Sequence, residues 1–231
     1  MFLKVYLCAF KNQHYLEEAK LCITSLRSKG CFTGPIYLFT DMDCDMREAH
    51  VIKVECDSVY LSSSFKTRIF EYLGYDHGDI FLYLDTDIIV FKPLPTFETI
   101  SNKIQVYGYE GRTQEAESFC GFIVSDTDYI TKPAINTGIL LFRPSAEVKY
   151  VFDAAYDLYC KLIKEDKVNL CWEQPALCYE MIKNDMMEIS LTDLVYENRT
   201  GTNILDTMVF NHFCGLRGIH RQSIMIEFLN K

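Results

Sequence analysis

The stretch Phe81-Leu82-Tyr83-Leu84-Asp85-Thr86-Asp87-Ile88-Ile89-Val90-Phe91 constrains this chain more than any other. An apolar run of this kind reads as a buried strand of a mostly parallel sheet. Two carboxylates interrupt it, and buried carboxylates are costly unless something positive meets them. Side chains at i and i+2 of an extended segment point the same way, so Asp85 and Asp87 can grip one cation together. Hard oxygen ligands with room for water and phosphate favour Mg²⁺ or Mn²⁺ over Zn²⁺. The plainer reading is a strand-end turn with two solvated Asp residues. Apolar flanks on both sides argue against it.

With 231 residues, 49% of them hydrophobic, the chain is long enough for one domain with a substantial core, taken here as residues 1–231. A net charge of −9 argues against a nucleic-acid partner, which needs clustered Lys and Arg. Of the ten cysteines, Cys8, Cys22, Cys160 and Cys178 sit in apolar periodic segments, where a free thiol behaves as a small hydrophobe. No C-x-x-C pair occurs, so reduced thiols in a cytoplasmic protein are expected. Asn198-Arg199-Thr200 fits a glycosylation sequon, but no signal peptide accompanies it. No run of 18 uncharged apolar residues is present, hence no membrane span is expected. The chain opens directly on a strand pattern, as a soluble enzyme or the catalytic domain of a longer protein would.

Alternation and helical periodicity predict strands over 4–10, 36–39, 51–54, 88–91, 104–109 and 139–142, and another ending at Asp85. Helices are predicted over 15–29, 65–73 and 146–164, with a further one opened by Pro175. Alternating strands and helices indicate an α/β domain with a mixed, mostly parallel central sheet flanked by helices. In open α/β sheets ligands bind beyond the carboxyl ends of the strands. Residues 8–15, Asp85-Thr86-Asp87 and Asn211-His212 all fall there. The polar stretches 110–128 and 196–206 flank the same ends.

Five blocks, in order, resemble the retaining glycosyltransferases of family eight, the glycogenin and bacterial galactosyltransferase type. They are Phe65-Lys66-Thr67-Arg68-Ile69, the Asp85-Thr86-Asp87 segment, Asn136-Thr137-Gly138, Trp172-Glu173-Gln174-Pro175, and His212-Phe213-Cys214-Gly215. The resemblance runs over residues 3 to about 218. It implies a GT-A, Rossmann-like fold and a UDP-sugar donor, with Mn²⁺ or Mg²⁺ held by Asp85, Asp87 and His212. It also implies that Asn136 and Gly138 face the donor sugar and that Glu173 and Gln174 lie beside the reacting carbon. Cys8, Ala9, Tyr15, Arg68, Thr86, Gly215 and Arg217 would line the nucleotide and its diphosphate, with Tyr15 stacking on uracil. The family's usual Lys near the C-terminal motif would fall at Gly218, with Arg217 one residue earlier. Its Asp just before the N-x-G strand is missing from Thr131-Lys132-Pro133-Ala134-Ile135, so a donor sugar other than glucose or galactose is compatible with the pattern.

The expected activity is transfer of a sugar from a UDP-sugar to a glycan, protein or other hydroxyl acceptor, with retention of configuration. The two polar stretches, 110–128 and 196–206, are expected to face that acceptor. Two alternatives stand beside it. One is a sugar-nucleotide nucleotidyltransferase, which would need a Gly-rich loop after the first strand, whereas Cys8-Ala9-Phe10-Lys11-Asn12-Gln13 has no Gly. The other is a binding module that keeps the metal site without turnover.

Overall fold

The structure, a computed structural model, describes every residue except Met1, His77, Glu98, Leu170, 202–206, Arg217 and Lys231. In chain order the first half comprises β1 (Leu3–Ala9), α1 (Gln13–Ser28), β2 (Ile36–Thr40), β3 (His50–Lys53), α2 (Val59–Ser64), β4 (Ile80–Leu84) and β5 (Ile88–Val90). The second half adds β6 (Ile104–Thr113), α3 (Thr127–Ile130), β7 (Pro133–Phe142), α4 (Ala146–Lys164), α5 (Gln174–Lys183), β8 (Met187–Ile189), β9 (Val195–Glu197), β10 (Phe210–His212) and α6 (Gly218–Leu229).

Seven strands form the central sheet in the order β3-β2-β1-β4-β7-β6-β8. Every neighbouring pair is parallel except those made by β7, which runs against β4 and β6. The chain is therefore α/β with a mostly parallel sheet flanked by helices, a Rossmann-like arrangement. Alternation along the strands divides the core between the two faces. Val5, Leu7, Leu82 and Leu84 pack with Leu16, Ile23 and Leu26 of α1. Tyr6, Phe81 and Tyr83 pack with Val148, Phe152 and Leu177 of α4 and α5. Asn12 caps α1, its side chain accepting from the His14 amide, which satisfies one of the free N–H groups of the first turn.

Successive strands depart from opposite sides of β1, with β2 on one flank and β4 on the other. That is the switch point where such sheets leave a crevice beyond the strand ends. A second sheet, β5-β10-β9, stands beside that crevice.

Several local expectations need correction. Asp85-Thr86-Asp87 is not extended strand but the turn between β4 and β5. The helix expected over 65–73 is a 3₁₀ segment, Phe65–Glu71, continuing from α2. Strand β7 begins six residues before the predicted 139, and β6 runs on to Thr113 into the stretch read as loop. Helices α2, α3 and α6 and the short strands β8 and β9 have no counterpart among the expected elements.

Candidate metal centre

Asp85 follows directly on β4, and its backbone N–H donates to Gly138 O of the neighbouring β7 at 2.7 Å. The turn then feeds β5, which pairs antiparallel with β10 so that Ile88 faces His212. Phe213 N donates to Asp87 O at 2.9 Å. The small sheet thereby delivers a histidine from the far end of the chain to the turn that carries the carboxylates. His212 Nε2 lies 3.1 Å from Asp87 Oδ1 and 3.9 Å from Asp85 Oδ2. One ligand atom from each of the three lies within 4.8 Å of the others. Adjacent ligands on a six-coordinate cation with bonds of about 2.1 Å sit about 3 Å apart. The His212–Asp87 spacing matches that, and Asp85 has to close in for all three to share one divalent cation. Asp87 and His212 are buried, but the Asp85 side chain is 33% exposed, so the cluster opens to solvent on that side.

Each ligand presents one atom inward and has its other atom held. Tyr83 donates its hydroxyl to Asp85 Oδ1 at 2.5 Å, with Lys66 Nζ 3.7 Å away. Arg221 donates to Asp87 Oδ2 at 2.6 Å. The Tyr107 hydroxyl sits 2.6 Å from His212 Nδ1, which leaves Nε2 for a cation when the ring is neutral. Supporting partners of this kind fix the orientation of metal ligands before any metal arrives.

Gly138 closes one wall. A Cβ there would stand 2.6 Å from His212 Cε1 and 2.7 Å from Asp85 Oδ2. Only glycine lets β7 come this close to the carboxylate and the imidazole.

Beside the triad lies a second buried cluster. Lys66 Nζ pairs with Glu173 Oε1 at 2.7 Å, donates to Thr137 O at 3.1 Å and sits over the Tyr83 ring. Burial works against its charge, but Asp85 and Glu173 outweigh burial and hold its pKa above the ordinary lysine value. Gln174 accepts from Thr137 N at 3.1 Å and donates to Ser118 O at 3.0 Å. It thus ties β7 to the loop before α3. Asn136 accepts from Gly138 N at 2.7 Å and donates to the Tyr109 hydroxyl at 2.7 Å.

The structure brings together Asp85, Asp87, His212, Asn136, Gly138, Glu173 and Gln174. Thr86 is buried there too, its hydroxyl donating to Glu18. Cys8 and Ala9 close β1 beside the cluster. Burial pushes the Cys8 thiol up, with Lys66, Asp85 and Glu173 all near enough to act on it. Tyr15, 40% exposed, lies in the first turn of α1. Gly215 makes the turn after β10 in the left-handed region (φ +86°), where a side chain is disfavoured. Arg68 is not brought to the cluster. Its guanidinium is held by Glu71, one 3₁₀ turn on, and by Tyr156 of α4. Lys66, two residues earlier, is the basic group that reaches the carboxylates. Arg217 lies outside the described residues.

Sequence reasoning missed the ion pair behind Asp87. Arg221 of α6 grips Glu18 of α1 with two hydrogen bonds, 2.8 and 2.7 Å, while its third arm holds Asp87. Glu18 is fully buried. A signal existed. Glu18 falls among the buried positions of a mostly apolar helix face, and Arg221 shares the inward positions of α6 with Met225 and Phe228. A charge on an apolar stripe implies a buried partner.

Electrostatics follow from this packing. Burial alone would raise Asp87, but His212 and Arg221 outweigh it and hold the carboxyl below its usual range. Burial likewise disfavours a charged His212, yet the Asp87 and Asp85 carboxylates raise it above the ordinary histidine value. The chain matches no protein-family model and no curated protein sequence.

Proposed function

We propose that the protein is a metal-dependent glycosyltransferase that moves a sugar from a UDP-sugar to a hydroxyl acceptor with retention of configuration, using Mn²⁺ or Mg²⁺. The observation that carries this reading is the convergence of Asp85, Asp87 and His212 beyond the carboxyl end of β4, at the sheet's switch point. The ordered resemblance of five sequence blocks to retaining enzymes supports it. A bound cation would offset charge growing on the leaving diphosphate, worth several kcal/mol of transition-state stabilisation.

The chain's own groups supply the rest. Lys66 adds a fixed positive charge in a site shielded from water, where electrostatic stabilisation is strongest. Asn136 fixes the sugar-facing edge of β7, and Glu173 offers a buried carboxylate to an oxocarbenium-like centre. Gln174 holds the strand and loop that frame them. In the transfer itself, the bond between the anomeric carbon and the diphosphate oxygen breaks as one to the acceptor oxygen forms on the same face. The acceptor's proton passes to the leaving phosphate oxygen, so no separate general base is required.

The test is incubation with Mn²⁺ and a panel of nucleotide sugars without added acceptor. Slow release of free UDP from one of them is expected. Formation of UTP that depends on pyrophosphate would replace the reading with nucleotidyl transfer, and binding without release would leave a non-catalytic module.

A further inference from the structure

Strand β6 departs from its partner just beyond the metal centre. Gly108 faces Ile135 and Thr113 faces Pro133, so β6 advances five residues where β7 advances two. The extra residues, with Gly111 in the left-handed region (φ +68°), leave the ladder. Bulges of this kind re-aim side chains next to active sites. Here the bulge carries Tyr109 and Arg112. Tyr109 turns its hydroxyl to Asn136 Nδ2, and the guanidinium carbons of Arg112 and Arg199 lie 5.5 and 5.7 Å from its ring centre. Arg199 comes from the segment after β9, whose Glu197 faces His212 in the small sheet. Its Nε donates to Glu197 at 2.7 Å, and among the described residues the other two guanidinium nitrogens have no hydrogen-bond acceptor. Among the described residues Arg112 pairs with no carboxylate. Both arginines are exposed.

Two exposed guanidinium groups gathered at one aromatic ring, with a single carboxylate between them, leave positive charge that an anionic ligand can meet in charge-assisted hydrogen bonds. The arrangement is unusual for a chain of net charge −9. It lies on β6 past the Tyr107–Asn136 pair, and β6 is separated from β1 in the sheet by β4 and β7. We propose that Arg112, Tyr109 and Arg199 form a subsite for an anionic saccharide, one that bears a carboxylate or a phosphate. Calling this saccharide the acceptor rests on the transferase reading. The subsite itself does not. The arginines take the charged group in charge-assisted hydrogen bonds, and Tyr109 holds the two guanidinium groups at the edge of the site.

The experiment is ligand-observed NMR titration of the intact chain, without UDP or metal, using methyl glucuronide, glucose 6-phosphate and methyl glucoside. One or both anionic probes should bind at least about tenfold more tightly than methyl glucoside, and the tighter of the two names the charged group. R112Q and R199Q should each weaken that binding about tenfold, R199K should restore part of it, and added salt should weaken it in the native chain. UDP and Mn²⁺ affinities should be unchanged in all variants. Equal binding of neutral and anionic probes would overturn the proposal, as would anion binding indifferent to both Gln substitutions. So would a loss of UDP affinity in R112Q, which would put the arginines on the donor diphosphate. Anion binding that depends on the arginines, in a protein that releases UDP from no nucleotide sugar, would sustain the subsite and sink the transferase reading.

Discussion

Asp87 does two jobs with one carboxylate, offering Oδ1 to the cation and Oδ2 to Arg221. Replacing Asp87 or His212 by Ala should abolish tight Mn²⁺ binding, measurable by calorimetry or electron paramagnetic resonance. It should also slow UDP-sugar turnover by about 10²–10⁴, a loss of about 3–5 kcal/mol. Retention of Mn²⁺ affinity by both variants would refute the assignment of the triad. Gly138→Ala is a sharper probe because it adds only a methyl group. With His212 and Asp85 under 3 Å from that methyl, the ligands must move apart. Metal affinity should drop at least tenfold while the secondary structure, followed by circular dichroism, stays native. At this scale the sequence was informative wherever local pattern implied chemistry, as with Asp85, Asp87 and His212. It could not show that Lys66, rather than Arg68, turns inward to Asp85 and Glu173, because the order of residues does not fix which side chain a 3₁₀ segment buries.

Helix α6 is joined to α1 and to the metal centre through Arg221. Removing one member of a buried ion pair leaves the other charge uncompensated, at a cost of about 3–5 kcal/mol, whereas replacing both by apolar groups is often nearly neutral. Arg221→Met should therefore lower the unfolding free energy by about that amount. Glu18→Leu combined with Arg221→Met should recover much of the loss, and urea denaturation of the single and double variants measures both. If Arg221→Met costs nothing, α6 is not held by this network. The double variant should still bind Mn²⁺ less tightly than the native protein, because Asp87 loses its orienting partner. Strands β1, β2 and β4 and helix α1 were legible because each carries a run or stripe of apolar residues. Strands β8 and β9 are three residues each, too short to show a period. They exist because longer neighbours offer them an edge.

Across the whole molecule, a cation held by the triad would couple stability to metal binding. A ligand that binds only the folded chain stabilises it by about 2.7 kcal/mol at a hundred times its Kd, so Mn²⁺ should raise the melting temperature of the native protein and not of Asp87→Ala. The coupling depends on pH. His212 is raised above the ordinary 6.5 by its two carboxylates, so in the metal-free chain it is protonated below that raised value. The cation needs the neutral ring. Mn²⁺ affinity should therefore fall as the pH drops through this range and level off above it, read from titrations at several pH values. The sheet order was implied only in outline by the sequence, since which strands become neighbours depends on contacts far apart in the chain. Asn198 carries a practical lesson of the same kind. It is fully buried, accepts from Gly201 N, and its own N–H reaches His212 O at 2.7 Å. An oligosaccharide added to its sequon during synthesis would have no room in the finished sheet. Production through a secretory host should therefore yield either bare, folded protein or sugar-bearing chains that never assemble the β9–β10 pair, and Asn198→Gln is no safe remedy where the native side chain is already tightly enclosed.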